Sequence, residues 1–250
     1  MYHLVDTPRS AQEHRFCTPP SEFTRQMDCL VAEYTPISLE QLLCCLAGER
    51  SWPDRPVHVT FDDGFTGVLD NAAPILAGRS IPATLFAVSD RLGRSNDWMT
   101  ARGFPERSLM TAAQLRELES SGFTIGSHTR THARLTELHG ARILDEVSTS
   151  KSRLEDALGK EVEYFAYPYG LLNDAVRGAV IHAGYRAACS TVAGFNRVGE
   201  DSFRMRRIDV FGTDRLWQFR QKLRFGRNDS SRLFALRYYA TRLGARFRPN

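Results

Sequence analysis

Cysteine is scarce and unpatterned in this chain. Its five cysteines (Cys17, Cys29, Cys44, Cys45 and Cys189) are odd in number and contain no Cys-x-x-Cys pair, so neither a disulfide framework nor a thiolate zinc site is indicated. Reduced thiols and a cytoplasmic setting are the expectation. No apolar run is long enough to span a bilayer. The opening residues Met1 to Asp6 show no basic region followed by an apolar stretch, so no secretory signal is expected. Internal repeats and low-complexity linkers are also missing. The excess of one charge is small: 33 basic against 29 acidic residues leave a formal +4, too little to imply a polyanionic partner.

What is present reads as an ordinary folded domain. Of the 250 residues, 42% are hydrophobic and 25% charged, close to globular averages, and the length suits one core. Short β-branched or aromatic runs alternate with longer amphipathic segments, the pattern of βα units around a parallel sheet. The runs predict strands at Tyr2–Val5, Val57–Phe61, Ala83–Val88, Phe123–Ser127, Tyr164–Tyr167, Arg186–Ser190 and Arg207–Val210. Helices are predicted at Ser21–Glu33, Leu39–Ala47, Val68–Ala77, Ala112–Ser121, Thr136–Leu158, Asp174–Ala183 and Asp214–Arg224. Thr111 can cap one of these helices and Gly122 can end it. Val88–Met110 lacks periodicity and reads as a long surface excursion.

The division expected is a barrel over residues 1–224 and a basic helical tail over 225–250. Asp229 is the only acid after Asp214, whereas arginines recur to Arg248 beside Leu236, Tyr239, Leu243 and Phe247. Such a tail can rest on an anionic membrane surface or a partner; the alternative is a terminal helix that covers the barrel. No nucleic-acid reading motif accompanies the basic residues, so no nucleic-acid partner is expected.

Three motifs carry chemistry. Asp62 and Asp63, in Thr60-Phe61-Asp62-Asp63-Gly64, end a predicted strand. Adjacent carboxylates raise each other's pKa unless a positive group lies beside them, and a divalent cation would serve; a solvated turn is the plainer alternative. His128 and His132, in Ser127-His128-Thr129-Arg130-Thr131-His132, follow another strand, and a helical turn there would put both imidazoles on one face. Together these motifs offer a carboxylate and two imidazoles with coordination positions left open, and a second carboxylate free to act as base. The third motif is Tyr164-Phe165-Ala166-Tyr167-Pro168-Tyr169-Gly170, a strand entering a turn.

In this order the motifs resemble the polysaccharide deacetylases of carbohydrate esterase family four, and the resemblance extends across Val57 to Ile208. It implies an α/β fold, a distorted (β/α)₇ barrel, and hydrolysis of the acetamide of N-acetylated sugars. It implies Asp62 as base, Asp63, His128 and His132 as ligands of a divalent metal that suits zinc, and a backbone N–H near Tyr169 that stabilises the oxyanion. Two departures from the common pattern stand out. Ala166 occupies the place of an arginine that orients the base, for which Arg206 or Arg207 is the available substitute. No histidine follows His182, so the usual C-terminal general acid is missing. In the branch resembling poly-β-1,6-N-acetylglucosamine deacetylases a Tyr-His element stands at the N-terminus, and Tyr2-His3 fits it. The first strand can take the place of the last because order around a closed barrel is circular.

The remaining histidines read as structural: His58 alternates with valines on a strand, and His14, His139 and His182 fall in polar contexts. Trp98 can stack on a sugar or anchor its loop. Hydrolysis of a non-sugar amide or formamide, and an inactive glycan-binding barrel, are the alternative functions.

Overall fold

The computed structural model describes residues 1–234 and 238. Its strands are β1 (Leu4–Val5), β2 (Cys17–Thr18), β3 (Thr35–Pro36), β4 (Pro56–Val57), β5 (Val59–Phe61), β6 (Ala83–Ala87), β7 (Phe123–Ser127), β8 (Tyr164–Ala166) and β9 (Ala187–Cys189). Its α-helices are α1 (Pro20–Glu33), α2 (Leu39–Ala47), α3 (Ala73–Ala77), α4 (Asp97–Thr100), α5 (Ala112–Ser120), α6 (Ala141–Leu158), α7 (Asp174–His182) and α8 (Leu216–Phe225).

Strands β5 to β9 form one parallel sheet in sequence order, the arrangement that helical crossovers produce. Two irregular staves extend it. Met205 bridges Cys189 in parallel, and Val210 N donates to Met1 O at 3.0 Å. Tyr2 bridges Phe61, with Tyr2 N donating to Thr60 O at 2.8 Å and Asp62 N to Tyr2 O at 3.0 Å. The segments 1–2 and 205–210 therefore lie between β9 and β5, and the curled sheet closes through them into a distorted (β/α) ring.

Side-chain alternation divides the core. Leu85 and Ala87 of β6 join Ile125, Phe165, Val147 and Val176 beneath the outer helices. Phe86 instead joins Tyr164, Ala166, Cys189 and Met205 against Leu39 and Leu46 of α2, so α2 fills the inside of the ring. Helix α2 starts at a Ser38–Gln41 capping box and α5 at a Thr111–Gln114 box, each satisfying orphan N–H groups of the first turn.

Several predicted elements differ from those found. Only Tyr2 of the expected strand Tyr2–Val5 joins the ring, because Leu4 and Val5 pair with Cys17 and Thr18. The stretch 57–61 divides at His58, whose ring bonds Ile37 O and Thr84 Oγ1 at 2.8 and 2.9 Å, so His58 is a structural residue. Val68–Ala72 is a π-helical turn rather than the start of an α-helix, and Gly140 separates a 3₁₀ turn at Leu135–Glu137 from α6. Arg207–Val210 contributes single bonds instead of a ladder. Of the expected tail helix, residues 235–250 lie outside the described residues apart from Tyr238. No helix among the described residues is long and apolar enough to cross a membrane.

The excursion between β6 and α5 is fixed by a buried charge cluster. Arg107, 4% exposed, donates to both oxygens of Glu13 at 2.6 Å, to Asp6 Oδ2 at 2.7 Å and to Thr7 O at 2.8 Å. Removing one partner of a buried pair leaves an uncompensated charge. Arg107→Met should therefore lower unfolding free energy by roughly 3–5 kcal/mol, measured by urea denaturation. A loss under about 1 kcal/mol, the size of a surface pair, would contradict this reading.

Candidate active site

The carboxyl ends of the parallel strands converge on one buried cluster. β5 delivers Asp62 and Asp63, β7 delivers His128 and His132, and β8 leads into the Pro168–Gly170 turn that carries Tyr169. Gly64, at φ 91°, makes the turn after the aspartates, and its carbonyl accepts from Met110 N at 2.9 Å.

Asp63, Thr129, His132 and Tyr169 all have positive φ, at 77°, 68°, 65° and 59°. Left-handed backbone at non-glycine residues costs of order 1–3 kcal/mol each and persists only where surroundings enforce it. The enforcing contacts are visible. His128 N donates to Ala87 O at 2.8 Å, and Asp90 N to Arg130 O at 2.9 Å. Thr131 gives two hydrogen bonds to the buried Glu146 carboxylate, 2.9 Å from N and 2.7 Å from Oγ1. His132 N donates to Thr129 Oγ1 at 3.0 Å. The expectation of a helical turn at 128–132 is thereby corrected. The two imidazoles meet because a strained loop is tied down by α6, and Glu146 is a residue that sequence reasoning missed.

Asp63, His128 and His132 are all buried, and their candidate ligand atoms lie within 4.8 Å of one another. Oδ1 of Asp63 stands 3.6 Å from His128 Nε2 and 3.2 Å from His132 Nε2, yet it accepts no hydrogen bond among the described residues. Nδ1 of His128 lies 2.8 Å from Ala166 O. A carbonyl only accepts, so the proton sits on Nδ1 and Nε2 presents a lone pair. Burial holds the His128 imidazole down at about 4, keeping it neutral near pH 7. A lone pair facing a buried, unsatisfied carboxylate oxygen is repulsive unless a cation lies between them. Two donors about 2.1 Å from one ion in tetrahedral geometry stand roughly 3.4 Å apart, which the 3.2 and 3.6 Å separations bracket. The residues thus fit a divalent metal ion.

Asp62 faces the other way, onto Arg207. The guanidinium grips it with two hydrogen bonds, 2.6 Å to Oδ1 and 2.8 Å to Oδ2, the fork geometry that arginine makes with carboxylates. Nε of Arg207 donates to Ser190 O at 2.9 Å. Burial raises the Asp62 pKa, but Arg207, His128 and His3 outweigh it and hold the carboxyl well below the usual carboxylate range. Asp63 is likewise lowered, with burial opposed by His132, His3 and His128. Arg206 takes no part in this pair: its backbone bonds the Asn196 side chain.

His3 is half-buried, with its ring edge-on to Phe16 at 5.6 Å. The carbonyl of its neighbour Tyr2 accepts from Asp62 N at 3.0 Å, which sets His3 beside the aspartates. Trp98 of the long excursion stacks on His132, with centroids 4.6 Å apart and planes 17° off parallel. Tyr169 meets His132 edge-on at 4.8 Å and places its hydroxyl 3.2 Å from His132 Nδ1. His14, His139 and His182 lie outside this cluster. The arrangement brings together an ionised carboxylate, a triad that fits a metal ion and a further histidine, the parts that hydrolysis of an amide requires.

Comparison with known proteins agrees with this geometry. Residues 49–188 match the polysaccharide deacetylase family, more than half of the chain. A Bacillus subtilis protein named as a polysaccharide deacetylase, YxkH, is 24% identical over 211 residues, covering 84% of this chain and 70% of that one. A poly-β-1,6-N-acetyl-D-glucosamine N-deacetylase from Staphylococcus epidermidis is 31% identical over 132 residues, covering 49% of this chain and 43% of that protein. The chain thus matches less than half the length of that relative. The structure of IcaB from Ammonifex degensii superimposes with a TM-score of 0.76 at 25% identity, covering 90% of this chain and 94% of that one. Sequence match, ring architecture and the converging aspartates and histidines together show that this chain belongs to the polysaccharide deacetylase family.

Proposed function

We propose that the chain is a metal-dependent carbohydrate N-deacetylase that hydrolyses the acetamide of N-acetylated hexosamines. The observation that carries this reading is the unsatisfied Asp63 oxygen facing two imidazoles beside an ionised, arginine-held Asp62. Asp63, His128 and His132 would hold a divalent ion, for which zinc suits two nitrogens and one oxygen, and that ion would supply Lewis-acid chemistry and lower the pKa of water at the site.

The chain's own groups do the remainder. Asp62 takes the proton of the attacking water, and Arg207 keeps its carboxylate ionised and aimed. The backbone N–H of Tyr169, in the turn after β8, stabilises the oxyanion. His3 gives a proton to the departing amine. Trp98 and Tyr169 fix the His132 ring.

The relative named for poly-β-1,6-N-acetyl-D-glucosamine supports a β-1,6-linked N-acetylglucosamine substrate. A cytoplasmic chain would meet it as a precursor, so lipid-linked sugars belong in the same screen. The test is acetate release from N-acetylglucosamine oligomers and lipid-linked N-acetylhexosamines, set against a formamide analogue. Acetate from at least one sugar acetamide, with slower cleavage of the formamide, is expected. Faster formate release would move the assignment to deformylation.

A further inference from the structure

Beyond the site, the molecule contains a second cavity of about 750 Å³, within the range of roughly 300–1,000 Å³ that small-molecule sites occupy. It opens between α1, α2 and α8 and reaches inward to Thr60 and Arg207. Its walls are apolar, built from residues such as Leu30, Ile37, Leu42, Trp52, Val57 and Leu223.

Two features say what would fill it. The first is charge. Arg55, Arg197, Arg206, Arg207 and Arg224 line the cavity, and among the described residues no aspartate or glutamate does. Arg55 and Arg207 have acidic partners in Glu33 and Asp62. The exposed side chains of Arg197, Arg206 and Arg224 form no ion pair among the described residues; Glu200 accepts only from the backbone N of Arg197.

The second is that the polar groups at depth are already engaged. Both nitrogens of His58 are bonded, Thr60 Oγ1 accepts from Arg207, and the Asn196 amide is spent on the Arg206 backbone. A peptide entering there would bury unpaired amides at a heavy penalty, whereas a hydrocarbon chain has none to bury. The chain's own segment beyond residue 234 is a poor occupant, since it carries Arg237, Arg242, Arg246 and Arg248 with no acid and would meet like charge.

We propose that this cavity binds a single long alkyl chain bearing an anionic head, with the chain against the apolar walls and the head among Arg197, Arg206 and Arg224. The site is separate from the deacetylase reading: binding requires neither metal nor Asp62.

The probe is palmitate below its aggregation limit, in bromine-labelled form, read through quenching of Trp52 fluorescence in the full chain. Saturable one-to-one quenching is expected, absent from Trp52→Phe. Each shortening of the fatty acid by two carbons should weaken binding roughly tenfold, as the transfer energy of two methylenes requires. Palmityl alcohol, and palmitate on the R197A/R206A/R224A triple variant, should each bind at least about tenfold more weakly. These arginines are exposed, so the variant should fold, and its metal content serves as the check. Leu42→Trp, which fills the void without touching charge, should also block quenching. No saturable quenching, equal affinity for the alcohol, undiminished binding to the triple variant, or quenching that persists in Trp52→Phe would each overturn the proposal. So would displacement of the probe by a peptide of residues 235–250 or by a second copy of the chain at comparable concentration.

Discussion

Asp62→Asn is expected to lower turnover by roughly a thousandfold, in the range that a positioned general base contributes, while the protein keeps its divalent ion. Asp63→Asn should instead weaken metal affinity by at least about a hundredfold, since loss of an outer-shell partner alone costs ten- to a hundredfold. The two neighbours differ because of what surrounds them. Asp62 spends both oxygens on Arg207, whereas Asp63 directs an unsatisfied oxygen at two imidazoles. Because the Asp62 carboxyl is held well below the ordinary range, it is ionised throughout the neutral region. No limb of the pH profile near neutrality should belong to it. Metal content by elemental analysis and turnover on one acetylated oligomer, with circular dichroism as the folding check, decide the matter. Equal metal loss in both variants would remove the division of labour.

His3→Ala is the second large effect. An amine is a poor leaving group as an anion, so loss of its proton donor should reduce kcat about a hundredfold or more with metal content unchanged. The position can hold such a group although unsupported chain ends fray. On one side Tyr2 pairs with Thr60 and Asp62 through its backbone, and its hydroxyl donates to Gln26 Oε1 at 2.8 Å. On the other, Leu4 and Val5 pair with β2. His3 is thus clamped between two paired segments beside both aspartates. Wild-type turnover from His3→Ala would move the role to another group.

The ring and the polar residues of the site were legible in the sequence for a physical reason. Parallel strands buried on both faces read as apolar runs, and the polar residues of the candidate site follow directly at their carboxyl ends, as Asp62 follows Phe61 and His128 follows Ser127. The closing staves were less legible because they are held by isolated bonds. Tyr2 and Met205 each make a single bridge, too little to leave a periodic signature. The backbone of the histidine loop was misread, since four-residue spacing suggests a helix and nothing local announces the tie from Thr131 to Glu146, fifteen residues away. The same holds for Arg107, whose partners Glu13 and Asp6 lie 94 and 101 residues away. Of the two arginines that the sequence offered beside Asp62, only side-chain direction selects Arg207, and alternation in an irregular stave does not fix that direction in advance.

Acetate release coupled to metal content tests the account most directly. Protein carrying one divalent ion per chain should release acetate from a β-1,6-linked N-acetylglucosamine oligomer. It should lose that activity on chelation, regain it when zinc is returned, and fail to regain it in His128→Ala or His132→Ala. Full acetate release from chelated protein, or recovery in the histidine variants with metal bound as in the parent, would contradict the central claim.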